Sequence, residues 1–241
     1  MRRNLPLLLA TLAFLGSLVA MPHTGALFAA AFPGSIPPVY DRGSFIALAA
    51  WHLGLVAAAT TAAFIAGLGA AIVATRPWGT GAAPLIGLIA KTGQSFPPAA
   101  VLALMVPALG FGALPTLAAL FAYGLLPMTE NAQAGLRAIP RAVRDAADGL
   151  GFSPWRTLWL VELPLAWPQI FAGLRIAAVV SLGTATIGST VGALTLGTPI
   201  IDGLVTNRPG FVLQGAIPLA LLAVLLELVA GIKARKGELL F

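Results

Sequence analysis

The sequence predicts an all-α integral membrane protein, on two observations about its composition. Of the 241 residues, 59% are hydrophobic and only 9% are charged, whereas a soluble domain carries about 25% charged residues. The mean hydropathy of +0.94 agrees with this deficit of charge. The chain also has no cysteine, which excludes disulfides, thiolate catalysis and cysteine-based metal sites. We therefore expect helices that satisfy their own backbone hydrogen bonds in lipid.

Six apolar runs have roughly the 17–25 residues that a helix needs to cross a bilayer, so we predict a polytopic bundle of about six transmembrane helices. The second run is longer than a bilayer requires. The fourth is short, and we expect it to continue as a helix beyond the membrane. The predicted spans are residues 5–21, 47–74, 83–106, 113–128, 169–190 and 213–232.

The first predicted span allows two interpretations. Arg2 and Arg3 precede a leucine-rich run, a pattern that a retained helix shares with a cleavable signal peptide. Cleavage at the end of the run would put Leu18 where a small residue is preferred, which favours the retained helix. We divide the chain into an N-terminal helix with its external loop (residues 1–46), a core (residues 47–232) and a short cytoplasmic tail (residues 233–241).

Lysine and arginine predict the orientation, because basic residues concentrate in cytoplasmic loops. With the N-terminus inside, ten of the fourteen basic residues fall in cytoplasmic segments, and only Arg42 and Arg208 fall in external ones. Both termini are therefore expected in the cytoplasm. The net charge of +6 reflects this topology and contact with anionic lipid headgroups, so we expect no nucleic-acid partner. The ten are Arg2, Arg3, Arg76, Arg137, Arg141, Arg144, Arg156, Lys233, Arg235 and Lys236.

The third span carries a proline pair in the middle of its apolar run. Pro97 and Pro98 lack backbone donors and must break or kink a helix. Gln94 and Ser95 stand just before them. Irregular backbone at membrane depth is tolerated where it is buried or lines a cavity. These four residues are therefore our first candidates for a translocation path.

Hydroxyl groups in the fifth span have two interpretations. Thr184, Thr186 and Ser189 form a hydroxyl- and glycine-rich stretch. They could line the same path, or they could be small residues that let neighbouring helices pack closely. The sequence leaves both open.

Three charged residues lie inside predicted spans, roughly 9–12 Å from the cytoplasmic ends at 1.5 Å per residue. Glu227 could pair across helices with Lys91 or Arg175, which is one interpretation of charge inside a membrane. The other is that Lys91 and Arg175 extend their long side chains to the inner interface. His52, near the outer end of the second span, is expected at the interface.

A polar segment, residues 141–164, interrupts the apolar pattern between the fourth and fifth spans. In its first half Ala142, Ala146 and Leu150 recur one turn apart on one helical face. Gly151 then follows as a C-terminal stop. This half is predicted to be a short amphipathic helix.

The second half of the segment has the start signals of another helix. Ser153 and Pro154 are typical of an N-cap and a first helical residue. This helix is predicted to run to Leu163, where Pro164 begins the next segment towards the membrane.

The spacing of this segment resembles that of the membrane subunits of ABC-type importers. Their loop has Glu-Ala-Ala, three residues, glycine, nine residues and Ile-x-Leu-Pro. This chain has Asp-Ala-Ala, Gly151 and Val-Glu-Leu-Pro at the same spacing, with aspartate for glutamate and valine for isoleucine. The resemblance implies a type I ABC importer permease fold, in which residues 141–157 form coupling helices that sit in a groove of an ATP-binding subunit. The coupling residues that it implies are Asp145, Ala146, Ala147, Gly151, Phe152, Ser153, Pro154, Leu163 and Pro164.

Further segments resemble the permeases of osmoprotectant importers, which carry glycine betaine, choline and related quaternary ammonium compounds. These are residues 94–98, residues 125–127 followed by Asn131, and residues 183–188. The resemblance implies a multi-pass protein of the bacterial plasma (inner) membrane, and we add Asn131 to the path candidates. It also implies a second permease chain, identical or related, two cytoplasmic ATP-binding subunits and an external solute-binding protein. ATP and magnesium are then expected on the ATP-binding partner, with no cofactor in this chain.

Missing motifs exclude several other functions. The chain has no Gly-x-x-x-x-Gly-Lys-Ser/Thr phosphate loop, no His-Glu-x-x-His and only two histidines, so we expect neither ATP hydrolysis nor a metal site in it. An intramembrane enzyme would need a nucleophile with a base, or paired carboxylates. A secondary transporter would need a relay of ionisable residues and more spans. We predict a non-enzymatic permease subunit for an osmoprotectant. The alternatives are an ABC permease for an amino acid or sulfonate and, after it, a secondary transporter.

Overall fold

The structure is a computed structural model that describes the backbone of residues 5–237 and the side chains of residues 5–231. The orientation signals at Arg2 and Arg3, and the end of the predicted tail after residue 237, lie outside the described residues. The α-helices are α1 (Leu5–Ala20), α2 (Gly25–Ala31), α3 (Phe45–Thr75), α4 (Ala83–Ser95), α5 (Pro98–Leu109), α6 (Ala113–Arg137), α7 (Arg141–Gly149), α8 (Pro154–Thr157), α9 (Leu163–Gly188), α10 (Thr198–Val205) and α11 (Pro209–Gly237).

Six helical passages through one bundle confirm the predicted fold class. Helix α1, the α4–α5 pair and α9 run in one direction, and α3, α6 and α11 run in the other. We call the end that holds residues 138–157 the coupling end, and the end that holds residues 32–44 the opposite end. Helix α6 continues past its apolar part to Arg137, as expected for the fourth span. Four stretches of the described chain are long and apolar enough to cross a membrane: Leu5–His23, Phe45–Thr75, Pro154–Val191 and Pro209–Gly231.

The third predicted span is two helices rather than one. Helix α4 ends at Ser95 and α5 begins at Pro98, with Phe96 and Pro97 in extended backbone between them. The amide of Ala100 bonds to the carbonyl of Pro97 at 2.9 Å. The carbonyl of Phe96 is therefore outside both helical ladders. The proline pair breaks the helix, as the sequence predicts, and the span predicted at residues 83–106 consists of α4 and α5.

The second helix of the loop does not end at Leu163. Helix α8 continues through a π-helical turn, Leu158–Glu162, directly into α9. Pro164 lies in the first turn of α9, directly after the π turn, and donates no amide hydrogen to the helical ladder. The π turn thus joins α8 to α9, and one continuous helix runs from the loop into the bundle.

Small residues bring α3, α6 and α9 into close contact and make them the centre of the bundle. A Cβ added to Gly67 of α3 would lie 2.7 Å from the Cβ of Met128. One added to Gly173 of α9 would lie 2.8 Å from the carbonyl oxygen of Pro127. Helices in lipid associate closely through such residues. Helices α3, α6 and α9 therefore pack closely along their contact lines.

At the opposite end, residues 32–44 are fixed to the start of α11 by a fully buried glutamine. The Gln214 side-chain oxygen accepts from the Tyr40 amide at 2.8 Å, and its nitrogen donates to the Pro38 carbonyl at 2.8 Å. Arg42 also pairs with Asp202 of α10 at 3.3 Å. Helices α2 and α10 were not predicted, because seven or eight residues are too short for a search based on membrane-spanning length.

His52 is fully buried in α3, so the prediction of an interfacial position is wrong. The same part of α3 buries Leu48, Ala49, Leu55 and Val56. The helix begins at Phe45, and within two turns it is covered by its neighbours.

Candidate coupling loop and translocation face

Helix α7 ends in a Schellman motif centred on Gly151. The amide of Phe152 donates to the carbonyl of Ala147 at 3.0 Å, and the amide of Gly151 donates to that of Asp148 at 2.9 Å. Both carbonyls belong to the last turn, where no helical amide is available to them. Gly151 has φ +76°, a conformation that residues with a side chain rarely adopt. The turn that separates α7 from α8 therefore depends on glycine at this position.

The start of α8 also uses the residues that the sequence marked. The Ser153 hydroxyl accepts from the Arg156 amide at 3.4 Å, and Pro154 follows as the first helical residue. The Arg156 guanidinium lies over the Phe152 ring, 4.4 Å from its centroid. These contacts set the angle between α7 and α8.

The loop presents a mixed polar and apolar surface. Leu150 is 77% exposed and Trp155 is 67% exposed, which is unusual for large apolar side chains outside a membrane-facing or partner-facing surface. The remaining implied coupling residues divide by exposure: Asp145, Ala146, Ser153 and Pro164 are exposed, Phe152 and Leu163 are half-buried, and Ala147 is buried. Asp145 pairs with Arg141 of the same helix at 3.8 Å. Exposed pairs of this kind contribute at most about 1 kcal/mol.

A buried carboxylate anchors the loop, and the sequence analysis did not find it. Glu162 is 2% exposed and contacts both Arg76 and Arg144. One signal was available: Glu162 is the only acidic residue between Pro154 and Val191. Glu162 occupies the unspecified position of the Ile-x-Leu-Pro pattern, so the resemblance implied no role for it.

Two proline defects face each other between α4 and α6, and Gln94 connects them. Pro127 of α6 has no amide hydrogen, so the Tyr123 carbonyl four residues earlier lacks its helical donor. The side-chain nitrogen of Gln94 donates to that carbonyl at 2.7 Å. In return, the Tyr123 hydroxyl donates to the carbonyl of Phe96 at the α4–α5 break. Gln94 and Tyr123 therefore satisfy the two backbone carbonyls that the prolines leave free.

An open groove of about 560 Å³ lies between α4 and α6 near the coupling end. Its polar lining includes Thr80, Lys91, Gln133 and Arg137, and the guanidinium of Arg137 donates to Gln133 at 2.8 Å. Glu130 lies beside it, 3.9 Å from the Lys91 ammonium. We call these five side chains, together with Gln94 and Ser95, the polar face of α4 and α6.

The structure places the other path candidates in different surroundings. Ser189 has hydroxyl contacts to Thr195 at 2.8 Å and Thr198 at 3.2 Å, which hold the turn after α9. Thr184 is buried, and Thr186 packs where a Cβ on Gly197 would lie 2.8 Å from its methyl group. Within the described residues, no hydrogen bond joins this group to Gln94 or Ser95.

Asn131, Pro97 and Pro98 complete the set of path candidates. The Asn131 amide donates to the Pro127 carbonyl at 2.8 Å, and its side chain is half-buried against α9. Pro97 is exposed and Pro98 half-buried at the helix break. Of the path candidates, Gln94 and Ser95 belong to the polar face. Asn131, Pro97 and Pro98 influence the backbone around it.

The three charged residues inside the predicted spans do not form one cluster. Arg175 of α9 contacts Glu227 of α11, so this interhelical pair forms. Lys91 does not join it and lies near Glu130 instead. Among the described residues, no group of three or more histidine, aspartate or glutamate side chains could hold a metal ion.

Comparison with known proteins gives a family match and a fold match. Residues 63–236 match the family described as binding-protein-dependent transport system inner membrane component. The osmoprotectant import permease protein OsmY of Salmonella typhimurium is 38% identical over 176 residues, covering 73% of this chain and 75% of the relative. The glycine betaine/carnitine/choline transport system permease protein OpuCB of Bacillus subtilis is 33% identical over 200 residues, covering 82% and 87%.

Solved structures share the fold at lower sequence identity. An inward-facing structure of the MetNI methionine ABC transporter has a TM-score of 0.69 to this chain at 20% identity. The match covers 80% of this chain and 95% of the solved one. At this identity the likeness shows the fold alone.

Proposed function

The chain belongs to the family of binding-protein-dependent transport system inner membrane components, and from this premise we propose that it carries a quaternary ammonium osmoprotectant such as glycine betaine or choline. As a member of this family it is a permease subunit of an ABC importer. The observation that carries the solute assignment is that two relatives covering 73% and 82% of this chain are named for osmoprotectants and for glycine betaine, carnitine and choline.

The chemistry of the polar face is compatible with such solutes. A trimethylammonium group cannot donate a hydrogen bond, and aromatic faces are its usual binding partners. The polar face has no aromatic cage; it offers opposite charges at Lys91 and Glu130, which are 64% and 55% exposed. A surface of this kind binds a zwitterion or cation weakly. We propose that selectivity resides in the solute-binding protein and that this chain provides a path.

A second permease chain, identical or related, would complete that path. Most of the polar face is exposed, on or beside two helices that lie among apolar spans; the exposed members are Thr80, Lys91, Ser95, Glu130 and Arg137. Charged side chains within a membrane are expected towards a protein interior or a water-filled cavity rather than lipid. A second chain that faces α4 and α6 would enclose the groove as a cavity.

The loop formed by α7 and α8 would dock on the cytoplasmic ATP-binding subunits. Its rigid Schellman turn and its exposed Leu150 and Trp155 support this proposal. ATP and magnesium would bind to those subunits, and closure of the ATPase pair would move the loop and switch the cavity between its two faces. The importer would contain two such subunits and an external solute-binding protein.

Orientation is part of the proposal and has a direct test, because the natural chain has no cysteine. Single cysteines at Ser44 and Thr206, exposed at the opposite end, should react with a membrane-impermeant maleimide on intact cells. Cysteines at Thr80 and Asp148, exposed at the coupling end, should react only after the cells are permeabilised. The expectation follows from the ten-to-two distribution of basic residues. Labelling of Asp148→Cys in sealed cells would show that the orientation is inverted.

The solute assignment is tested by uptake in cells that carry the whole operon and in cells with only this gene deleted. We expect deletion to remove binding-protein-dependent uptake of labelled glycine betaine or choline, since the path needs this subunit. A control strain that carries the gene on a plasmid should recover uptake. Deletion that leaves both solutes unaffected but removes uptake of an amino acid or sulfonate would overturn the solute while leaving the permease assignment intact.

A further inference from the structure

Glu162 brings residues of three helices together at the coupling end of the bundle. Its Oε1 accepts from Nε of Arg144 in α7 at 2.7 Å, and its Oε2 accepts from Arg76, the residue that caps α3. Glu162 itself stands in the π turn directly before α9. A carboxylate that is 2% exposed is stable as an anion only when it is paired and hydrogen-bonded.

Arg144 adds the fourth helix. Its terminal nitrogen donates to the carbonyl of Leu136 at 2.6 Å. Leu136 lies in the last turn of α6, where carbonyls lack helical donors. One guanidinium therefore bonds both to the end of α6 and to Glu162. Helix α7 is therefore held by charge-assisted bonds to α6 and to the start of α9, two of the helices that form the centre of the bundle.

The backbone supports the position of the carboxylate. In the π turn, Leu158 and Glu162 are both buried at 2%, while Trp159 and Leu160 between them are exposed. The wider turn directs these two side chains inward, before α9 resumes α-helical geometry. Single π turns inside α-helices often mark functional positions.

The other ion pairs within the described residues lack these properties. Arg42–Asp202, Lys91–Glu130, Arg141–Asp145 and Arg175–Glu227 all have both side chains more than a quarter exposed. Exposed pairs contribute little to stability, whereas removing one partner of a buried pair leaves an uncompensated charge. Among the ion pairs of the described residues, those of Glu162 alone join the loop to the bundle.

We propose that Glu162 is the positioning residue that makes α7 move as one body with the coupling ends of α3, α6 and α9. This inference rests on the proposed function, because it assumes that the ATP-binding subunits move α7. Without the carboxylate, α7 could shift while α6 stays in place. ATP hydrolysis and transport would then be uncoupled.

The test uses the assembled importer in liposomes, with Glu162→Gln and the matched control Asp202→Asn. The control breaks the exposed pair with Arg42 at the opposite end. For each complex that still assembles, basal ATPase, ATPase stimulated by loaded binding protein, and solute imported per ATP are measured. We expect Glu162→Gln to keep basal ATPase and to lower the stimulated-to-basal ratio at least about fivefold, the lower end of typical site-to-site coupling. The control should match the wild type in all three measurements.

A merely structural role would lower the yield of complex but not the ratio per assembled complex. A Glu162→Gln complex with wild-type stimulation and wild-type import per ATP overturns the proposal. If Glu162→Gln does not assemble, Arg144→Lys keeps a positive charge near the carboxylate but cannot make both bonds of the guanidinium. Partial uncoupling is expected there, and a wild-type ratio in Arg144→Lys overturns the proposal equally.

A distance measurement separates failure of this inference from failure of the proposed function. Spin labels are placed at Asp148→Cys in α7 and Ala134→Cys in α6, both exposed positions. In the wild-type complex the distance between labels should keep one narrow distribution in ADP and in ATP with vanadate. In Glu162→Gln it should broaden or split. A narrow distribution in the variant overturns the inference whatever the solute, while absence of glycine betaine and choline import by the wild type overturns only the solute.

Discussion

Replacing Gly151 with valine is expected to remove most of the solute-stimulated ATP hydrolysis by the assembled importer while the chain still inserts in the membrane. Gly151 has φ +76° at the Schellman turn, and a β-branched residue in left-handed backbone costs roughly 1–2 kcal/mol or more. A Cβ at this position would meet no atom within 4 Å, so the strain comes from the backbone and not from crowding. Refolding of the turn would change the angle between α7 and α8. We expect stimulated ATPase to fall at least about tenfold, equivalent to about 1.4 kcal/mol of coupling.

A graded series at the same position separates backbone strain from loss of a contact. Asparagine tolerates left-handed backbone better than alanine, and alanine better than valine, so stimulated ATPase should fall in the order Gly151, Gly151→Asn, Gly151→Ala, Gly151→Val. Purified chain yield and binding-protein affinity serve as controls. Equal stimulation in all four proteins would show that the turn is not part of the coupling element.

The parts of the structure that depend on local backbone chemistry were predictable from the sequence. Gly151 stops a helix because glycine alone enters left-handed backbone without strain, and Ser153 with Pro154 starts one. Pro97 and Pro98 were correctly expected to interrupt the third span. Each of these signals acts within one helical turn, so a reader of the sequence needs no tertiary information to find it.

The ion pairs were not predictable, because the sequence does not fix the rotation and depth of one helix relative to another. Lys91 was considered as a partner of Glu227, but α4 packs on α6 and brings it to Glu130. Glu162 needs the ends of α3, α6 and α7 to meet, and its partners are 86 and 18 residues away in the chain. The π turn that directs Glu162 inward depends on the same packing.

The polar face of α4 and α6 was predictable only in part. A proline removes the helical donor of the carbonyl four residues earlier, so Pro127 identifies the Tyr123 carbonyl as free from sequence alone. That Gln94 supplies the missing donor could be found only from the structure. The sequence could not decide the role of the hydroxyls in the fifth span. Ser189 is polar and could line a path, but its hydroxyl contacts Thr195 and Thr198 in the turn after α9.

Replacing Gly173 with valine is expected to prevent stable folding of the bundle. A Cβ at this position in α9 would lie 2.8 Å from the carbonyl oxygen of Pro127 and 2.9 Å from the Cβ of Asn131. The nearer atom belongs to helix backbone, so relief requires α6 and α9 to separate. Because α6 also packs on Gly67 of α3, the separation would disturb all three central helices. Overpacking a core costs about 1–3 kcal/mol and occasionally more, and here we expect about 3 kcal/mol or more.

Gly183 in the same helix provides the matched control, since a Cβ there would meet no atom within 4 Å. Gly183→Val should fold like the wild type, because valine is no worse than glycine in a helix interior.

The measurement is the yield of monodisperse protein in detergent and its Tm, with Gly173→Ala as an intermediate step. Comparable loss in Gly173→Val and Gly183→Val would mean that any valine harms α9. A wild-type Tm in Gly173→Val would mean that α6 leaves room for a side chain at position 173 of α9. Loss confined to position 173, with Gly173→Ala between the two, is the pattern that close contact between α9 and α6 requires.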